Sequence, residues 1–203
     1  MNDRLFKHTE AHKLEDPARL TWLPPAEAVQ RLVLRPGMKV ADIGAGTGYF
    51  SIPIARAVGA TGKVFAVDVQ PEMLAILREK LNGAEAPDNV SLHQGNASHV
   101  PLPEASVDLV FFANIWHELN DYSAVLKEAR RILAPGGSIA ILDWRSELLP
   151  PPGPPQDHRV PATEVAEALG ANNCEVVSSS NIGQFSYLVL ARCPALRARS
   201  ECK

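Results

Sequence analysis

Short apolar runs alternate with amphipathic stretches along this chain, and the alternation predicts a largely parallel sheet covered by helices. The runs fall at Val40 to Ile43, Val64 to Val67, Asn89 to His93, Val107 to Ala113 and Ser138 to Trp144. The fourth, VDLVFFA, is almost continuously apolar, as a central parallel strand buried on both faces requires. Helical spacing fills the gaps. Pro24 and Pro25 open a helix over Ala26 to Leu34, and Pro71 opens another whose Met73, Leu74, Leu77 and Leu81 recur on one face. Asp121 or Ser123 caps a third, with Tyr122, Val125, Leu126, Ala129, Ile132 and Leu133 as its apolar stripe and Lys127, Glu128, Arg130 and Arg131 on the outside. After a helix at Ala162 to Leu169, two β-rich segments, Glu175 to Ser180 and Phe185 to Cys193, flank the turn Asn181-Ile182-Gly183, so they pair antiparallel.

The first run leads into the stretch VADIGAGTGYF, with glycines at 44, 46 and 48, and a helix is expected over Thr47 to Val58. Glycine tolerates positive φ and lets a ligand approach the backbone, and a following helix aims its unpaired amides at the same spot. The usual dinucleotide spacing places the third glycine one residue later, where this chain has Tyr49. The second run ends in Asp68, about 20 residues on, where an acid accepts hydrogen bonds from a ribose diol in doubly wound folds. The two signals together predict a nucleoside-bearing cofactor.

At 203 residues with 46% hydrophobic content the chain is expected to form one main domain, with an N-terminal arm over residues 1–23 and a basic, disordered tail over 194–203. A net charge of −3 without a basic block disfavours nucleic acid and anionic membranes as partners. The polar N-terminus MNDRLFKHTE lacks the apolar core of a signal peptide, no apolar run approaches ~18 residues, and three widely spaced cysteines, Cys174, Cys193 and Cys202, read as reduced thiols. These features predict a cytoplasmic protein acting on a small molecule, with no membrane insertion and no metal. Neither the acceptor nor the oligomeric state is carried by a motif.

The string DIGAGTG at Asp42 to Gly48, the acid at Asp68 and the later LAPGGSIAILDW resemble a class I S-adenosylmethionine-dependent methyltransferase, in the small-molecule branch that includes ubiquinone and menaquinone biosynthesis enzymes. The resemblance spans about Arg35 to Trp144. It implies a doubly wound α/β fold with a seven-stranded, mostly parallel sheet of order 3-2-1-4-5-7-6, its last strand antiparallel. It also implies S-adenosylmethionine as cofactor, contacted by Asp42, Gly44, Ala45, Gly46, Gly48, Asp68, Val69, Met73, Asn96, Ala97 and Asn114. Met73 would pack on the adenine or serve as core, Asn96 would meet the purine edge or only shape a turn, and Trp22 and Leu23 would act as a lid or simply pin the arm. An NAD-dependent oxidoreductase and a non-catalytic binder of the same cofactor remain alternatives.

Two further residues are candidates for the acceptor side. His117 follows the fourth strand, where the resemblance puts it near the transferred methyl, and a pKa of about 6.5 suits it to take a proton; otherwise its ring shapes the pocket or caps the next helix. Arg159 follows the proline-rich stretch Leu148 to Pro161, which leaves the fifth strand as a stiff loop; it either binds an acidic group or is solvated.

Overall fold

The structure is a computed structural model and describes residues 5–147 and 153–194. The tail expected to be disordered lies outside the described residues apart from Pro194, as does the start of the proline loop. Seven strands, β1 (Lys39–Ile43), β2 (Lys63–Asp68), β3 (Val90–Gln94), β4 (Val107–Ala113), β5 (Leu133–Trp144), β6 (Glu175–Ile182) and β7 (Ser186–Arg192), form one sheet in the order 3-2-1-4-5-7-6. The first five run parallel, and β7 pairs antiparallel with both β5 and β6. This is the expected doubly wound α/β architecture.

Strand alternation divides the core between the two faces. Ala41, Val110, Phe112, Ile139, Ile141 and Val189 point to one side and meet Val125 and Leu126 of α5 (Tyr122–Ile132) and Val165 and Leu169 of α6 (Ala162–Ala171). Val40, Leu109, Phe111, Ala140, Leu142 and Leu188 point to the other. There they meet Ala28 of α2 (Pro25–Arg31) and Ile54 and Val58 of α3 (Ser51–Val58). Burial on both faces explains the unbroken VDLVFFA run, since neither side of β4 meets water. A short α1 (Arg19–Trp22) precedes α2, and α4 (Pro71–Leu81) links β2 to β3.

The structure moves three boundaries. α3 begins at Ser51 rather than Thr47, because Gly44, Gly46 and Gly48 all take positive φ and the chain enters helical geometry only beyond them. β5 begins at Leu133 rather than Ser138. Leu133 pairs with Val107 and Ser138 with Leu109, so Ala134–Gly137 leave the ladder as a bulge, with Gly136 at φ 79°. The helix expected to reach Leu34 stops at Arg31, and Val33 turns the chain with a φ of 53°.

The reading of the cysteines as reduced thiols is corrected. Cys174, just ahead of β6, and Cys193, just past β7, are joined by a disulfide. Pairing of the last two strands brings together residues 19 apart in sequence, a neighbourhood their linear spacing does not reveal. Closing a loop of that length stabilises by about 3 kcal/mol in the chain-entropy account. Thiol titration of the unfolded, unreduced protein should therefore find Cys202 alone. Reduction should lower the melting temperature by several degrees, and three titratable thiols before reduction would contradict the pairing.

Candidate active site

The carboxyl ends of β1, β2, β4 and β5 converge on one cleft, as expected where an open α/β sheet reverses its winding. The glycine turn closes β1 there. A Cβ at Gly44 would lie 2.6 Å from Ile115, and one at Gly48 would lie 2.2 Å from Leu77 of α4, so these two glycines serve packing. Only at Gly46 is the surrounding space open, its nearest neighbour being Leu14 of the N-terminal arm at 3.6 Å. Of the three, Gly46 alone leaves room for a group to approach the backbone. Ala45, between them, is buried, and its N–H and that of Gly44 donate to the Val67 carbonyl, which ties the turn to β2.

Asp68 sits 7% exposed at the tip of β2. One carboxylate oxygen accepts from the Gly46 N–H at 2.8 Å and the other from the Gln70 N–H at 2.9 Å. With the Val69 N–H as a third backbone donor, the carboxylate still keeps acceptor capacity for a ribose hydroxyl. Burial pushes the Asp68 pKa up, and backbone N–H groups of Gln70, Gly46 and Val69 oppose the rise. Asp42 lies deeper, 1% exposed, and accepts from the Ser51 hydroxyl at 2.5 Å, which links the end of β1 to the start of α3. Desolvation raises its pKa to about 7, with Asp68 adding to the rise and Ser51 opposing it.

Asn114, directly beyond β4, has a φ of 55°, strained for a residue with a side chain. Its own N–H donates to Leu142, yet both polar atoms of its side-chain amide are buried without a partner. An orphaned amide in a strained residue at a strand end is the mark of a site awaiting a polar ligand group. Next to it a short turn, Trp116–Glu118, carries His117 and Glu118, both buried. The His117 Nδ1 lies 2.8 Å from Asp143 of β5, which is fully buried, and the His117 N–H donates to the other oxygen of the same carboxylate at 3.0 Å. Burial alone would lower the His117 pKa. The Asp143 charge and hydrogen bond, helped by Glu118, more than reverse this against Arg159, and the imidazolium is held above its ordinary range. Burial also raises Glu118, to about 7, against His117 and the Phe6 N–H and with Asp143 and Asp68 adding to the rise.

The arm folds over this cleft. The Phe6 N–H donates to Glu118 at 3.2 Å, Gln70 bonds the Phe6 carbonyl and the His8 N–H, and Glu15 accepts from Thr47 in the glycine turn and from Lys80. Arg19 is 6% exposed, donates to the Leu14 carbonyl and lies 3.9 Å over the Tyr49 ring; burial lowers its pKa to about 10. Leu23 is fully buried in the core while Trp22 packs on Trp144 at 5.4 Å, so these two anchor the arm and Phe6 to Glu15 do the covering.

Other candidate residues take less direct positions. Met73 is 2% exposed, while Val69, beside Asp68, is 43% exposed and is the apolar surface that a flat ring would meet. The Asn96 side-chain oxygen accepts from the Ser98 N–H and hydroxyl, the bonds of a turn, which leaves its amide N–H₂ for a ligand; Ala97 packs against the core beside it. Arg159 is not solvated, and its charge acts on His117. It is buried, donates to the carbonyls of Pro154 and Arg145, and lies 5.7 Å over Trp144. Sequence reasoning missed Asp143, Glu15, Arg19 and Phe6, and only Asp143 left a signal, as the one acid in the fifth apolar run. A cavity of about 770 Å³ lies away from this cleft, beside Arg130, Arg131 and Leu133 at the start of β5.

A doubly wound sheet of this order with a glycine turn, an acid at the tip of the second strand and an antiparallel last strand defines the class I methyltransferase architecture. Residues 40–137 match the family described as a methyltransferase domain. The crystal structure of an S-adenosylmethionine-dependent methyltransferase from Aquifex aeolicus superposes with a TM-score of 0.86 at 32% identity, covering 93% of this chain and 99% of that one. A ubiquinone/menaquinone biosynthesis C-methyltransferase of Haemophilus ducreyi is 34% identical over 118 residues, 58% of this chain and 46% of that protein. A demethylmenaquinone methyltransferase of Staphylococcus aureus is 37% identical over 117 residues, 58% and 47% respectively. The chain spans about half the length of these curated relatives. It belongs to the S-adenosylmethionine-dependent methyltransferases, and S-adenosylmethionine is the cofactor. The orphaned Asn114 amide, the spare lone pairs of Asp68 and the open side of Gly46 fit that group.

Two mutations test this geometry. Asp68→Ala strands the Gly46 and Gln70 amides, so stability should fall by about 2 kcal/mol and cofactor affinity at least about tenfold, measured by denaturant melts and calorimetric titration. Unchanged affinity would contradict the ribose assignment. Asp42 has a folded pKa of about 7 against about 4 unfolded, so the folded state binds more protons between these values and stability falls as pH rises through that window. Asp42→Asn should flatten this fall, leaving mainly the share due to Glu118, and an unaltered pH–stability curve would show that Asp42 titrates normally.

Proposed function

We propose that this protein transfers the methyl group of S-adenosylmethionine to a small hydroxylated ring acceptor by in-line displacement, with His117 as general base. The observation that carries the reading is the set of buried carboxylates, Asp42, Asp68, Glu118 and Asp143, each at or just beyond the end of a different central strand. A cleft in which burial raises the carboxyl pKa values of Asp42, Asp68 and Glu118 favours a cationic ligand and opposes a dinucleotide pyrophosphate. That supports a sulfonium cofactor over NAD.

The bound cofactor supplies an already activated methyl on a positively charged sulfur. The chain itself has to align the acceptor, exclude water and accept a proton. The arm over the glycine turn serves the exclusion of water. His117 serves the proton, because a ring carbon next to a phenolic hydroxyl becomes a strong nucleophile as that proton leaves. The names of the quinone-biosynthesis relatives favour an acceptor of this kind.

Incubation with methyl-tritiated cofactor and a panel of phenols, catechols and hydroquinones should move label into the small-molecule fraction. Label remaining on the cofactor across the panel and a metabolite extract would favour the non-catalytic binder. His117→Gln should reduce turnover about 10²-fold with little change in calorimetric cofactor affinity. Full turnover with an unchanged pH profile would make His117 structural.

A further inference from the structure

We infer that Asp143 is a positioning residue for the methyl-transfer site: it holds the His117 ring through Nδ1–H, so that the lone pair on Nε2 faces the acceptor's hydroxyl. The inference rests on the proposed base role of His117 but assigns a different residue, on a different strand, to the same step.

Asp143 is the penultimate residue of β5 and has no exposure to solvent. Its carboxylate takes three donors: the His117 N–H at 3.0 Å, the Trp144 N–H at 2.7 Å and the imidazole Nδ1 at 2.8 Å. The His117 N–H bond alone would tie the short turn after β4 to β5, and the Trp144 N–H holds the carboxylate on its own strand. The third has another consequence. A carboxylate cannot donate, so the hydrogen in that bond belongs to Nδ1, and neutral imidazole then carries its lone pair on Nε2. Among the described residues Nε2 has no hydrogen-bond partner; its nearest charged neighbour is a Glu118 oxygen at 3.9 Å. A base oriented by a buried acid is the logic of the Ser-His-Asp triad, here without the serine.

The proton count closes. Nε2 accepts the acceptor's hydroxyl proton, the O–H electron pair stays on the acceptor, and the acceptor's nucleophilic pair forms the new bond to the methyl carbon. The pair of the broken carbon–sulfur bond stays on sulfur, which becomes a neutral thioether. The imidazolium formed at His117 is balanced by Asp143; the methylated ring carbon then loses its own hydrogen as a proton to water while the ring oxygen regains a proton from the imidazolium, so aromaticity is restored and one proton is released in all. The charged and titratable groups facing His117 are Asp143 from β5, Glu118 from its own turn and Arg159 from the loop ahead of α6; Asp68 acts on Glu118.

The test reads the ring itself, with neither cofactor nor acceptor present, so its failure is separable from failure of the methyl-transfer reading. Long-range proton–nitrogen spectra of the full chain, with the His117 signal identified by its loss in His117→Gln, should show protonated Nδ1 and bare Nε2 at alkaline pH. The titration midpoint should lie above about 6.5. In Asp143→Asn the midpoint should fall by about one pH unit or more, and the tautomer preference should be lost. An Nε2–H tautomer in the unmodified protein, or an unmoved midpoint in a folded Asp143→Asn, would overturn the inference. If that variant does not fold, the tautomer of the unmodified protein decides the question.

Discussion

Removing carboxylates from water is the constraint around which this site is built. Asp68 ends β2, Asp42 and Asp143 are the penultimate residues of β1 and β5, and Glu118 lies in the turn after β4, so these central strands each deliver a buried acid to the same cleft. A buried carboxylate is tolerated only with donors around it. Here the donors are mostly backbone: Gly46, Gln70 and Val69 for Asp68, His117 and Trp144 for Asp143, Phe6 for Glu118. Those bonds bend the chain into the glycine turn, the turn after β4 and the closed arm. Backbone donors satisfy lone pairs but bring no full positive charge, so the cleft stays electronegative. A ligand bearing a cation relieves it.

The arm follows from the same constraint. Its first described turn is held by an amide to Glu118 and by Gln70, which in turn donates its backbone N–H to Asp68. Glu15 adds a bond to Thr47 of the glycine turn and an ion pair with Lys80, both at the half-exposed rim where such pairs contribute about 1 kcal/mol or less. The anchor is apolar, with Leu23 in the core and Trp22 against Trp144. The arm is thus seated firmly at its apolar end and held over the cleft by a few polar bonds.

Much of the fold was legible because each strand burial pattern leaves its own spacing. Continuous apolar residues marked β4, and an acid at a strand tip marked Asp68. The glycine string marked the turn, although its spacing did not tell that Gly44 and Gly48 answer to Ile115 and Leu77 while Gly46 alone is open. What stayed hidden depends on contacts between distant segments. Asp143 meets His117 across 26 residues, Phe6 meets Glu118 across 112, and Cys174 finds Cys193 only once β6 and β7 pair. Arg159 reads as a solvated or ligand-binding cation because nothing local reveals that the carbonyls of Pro154 and Arg145 engage it.

The proposed function rests on recognition of the sulfonium by buried negative charge. Asp42 and Glu118 titrate near 7 in the folded protein, so a bound cation must shift them toward the ionised form. Calorimetric titration with S-adenosylmethionine and with S-adenosylhomocysteine, which has the same nucleoside and amino acid but a neutral sulfur, isolates that charge. Between pH 6 and 8 affinity for S-adenosylmethionine should rise more steeply than for S-adenosylhomocysteine, and its binding at pH 7 should release more protons into buffer. Parallel pH dependences with equal proton release would show that the carboxylates do not sense the sulfonium.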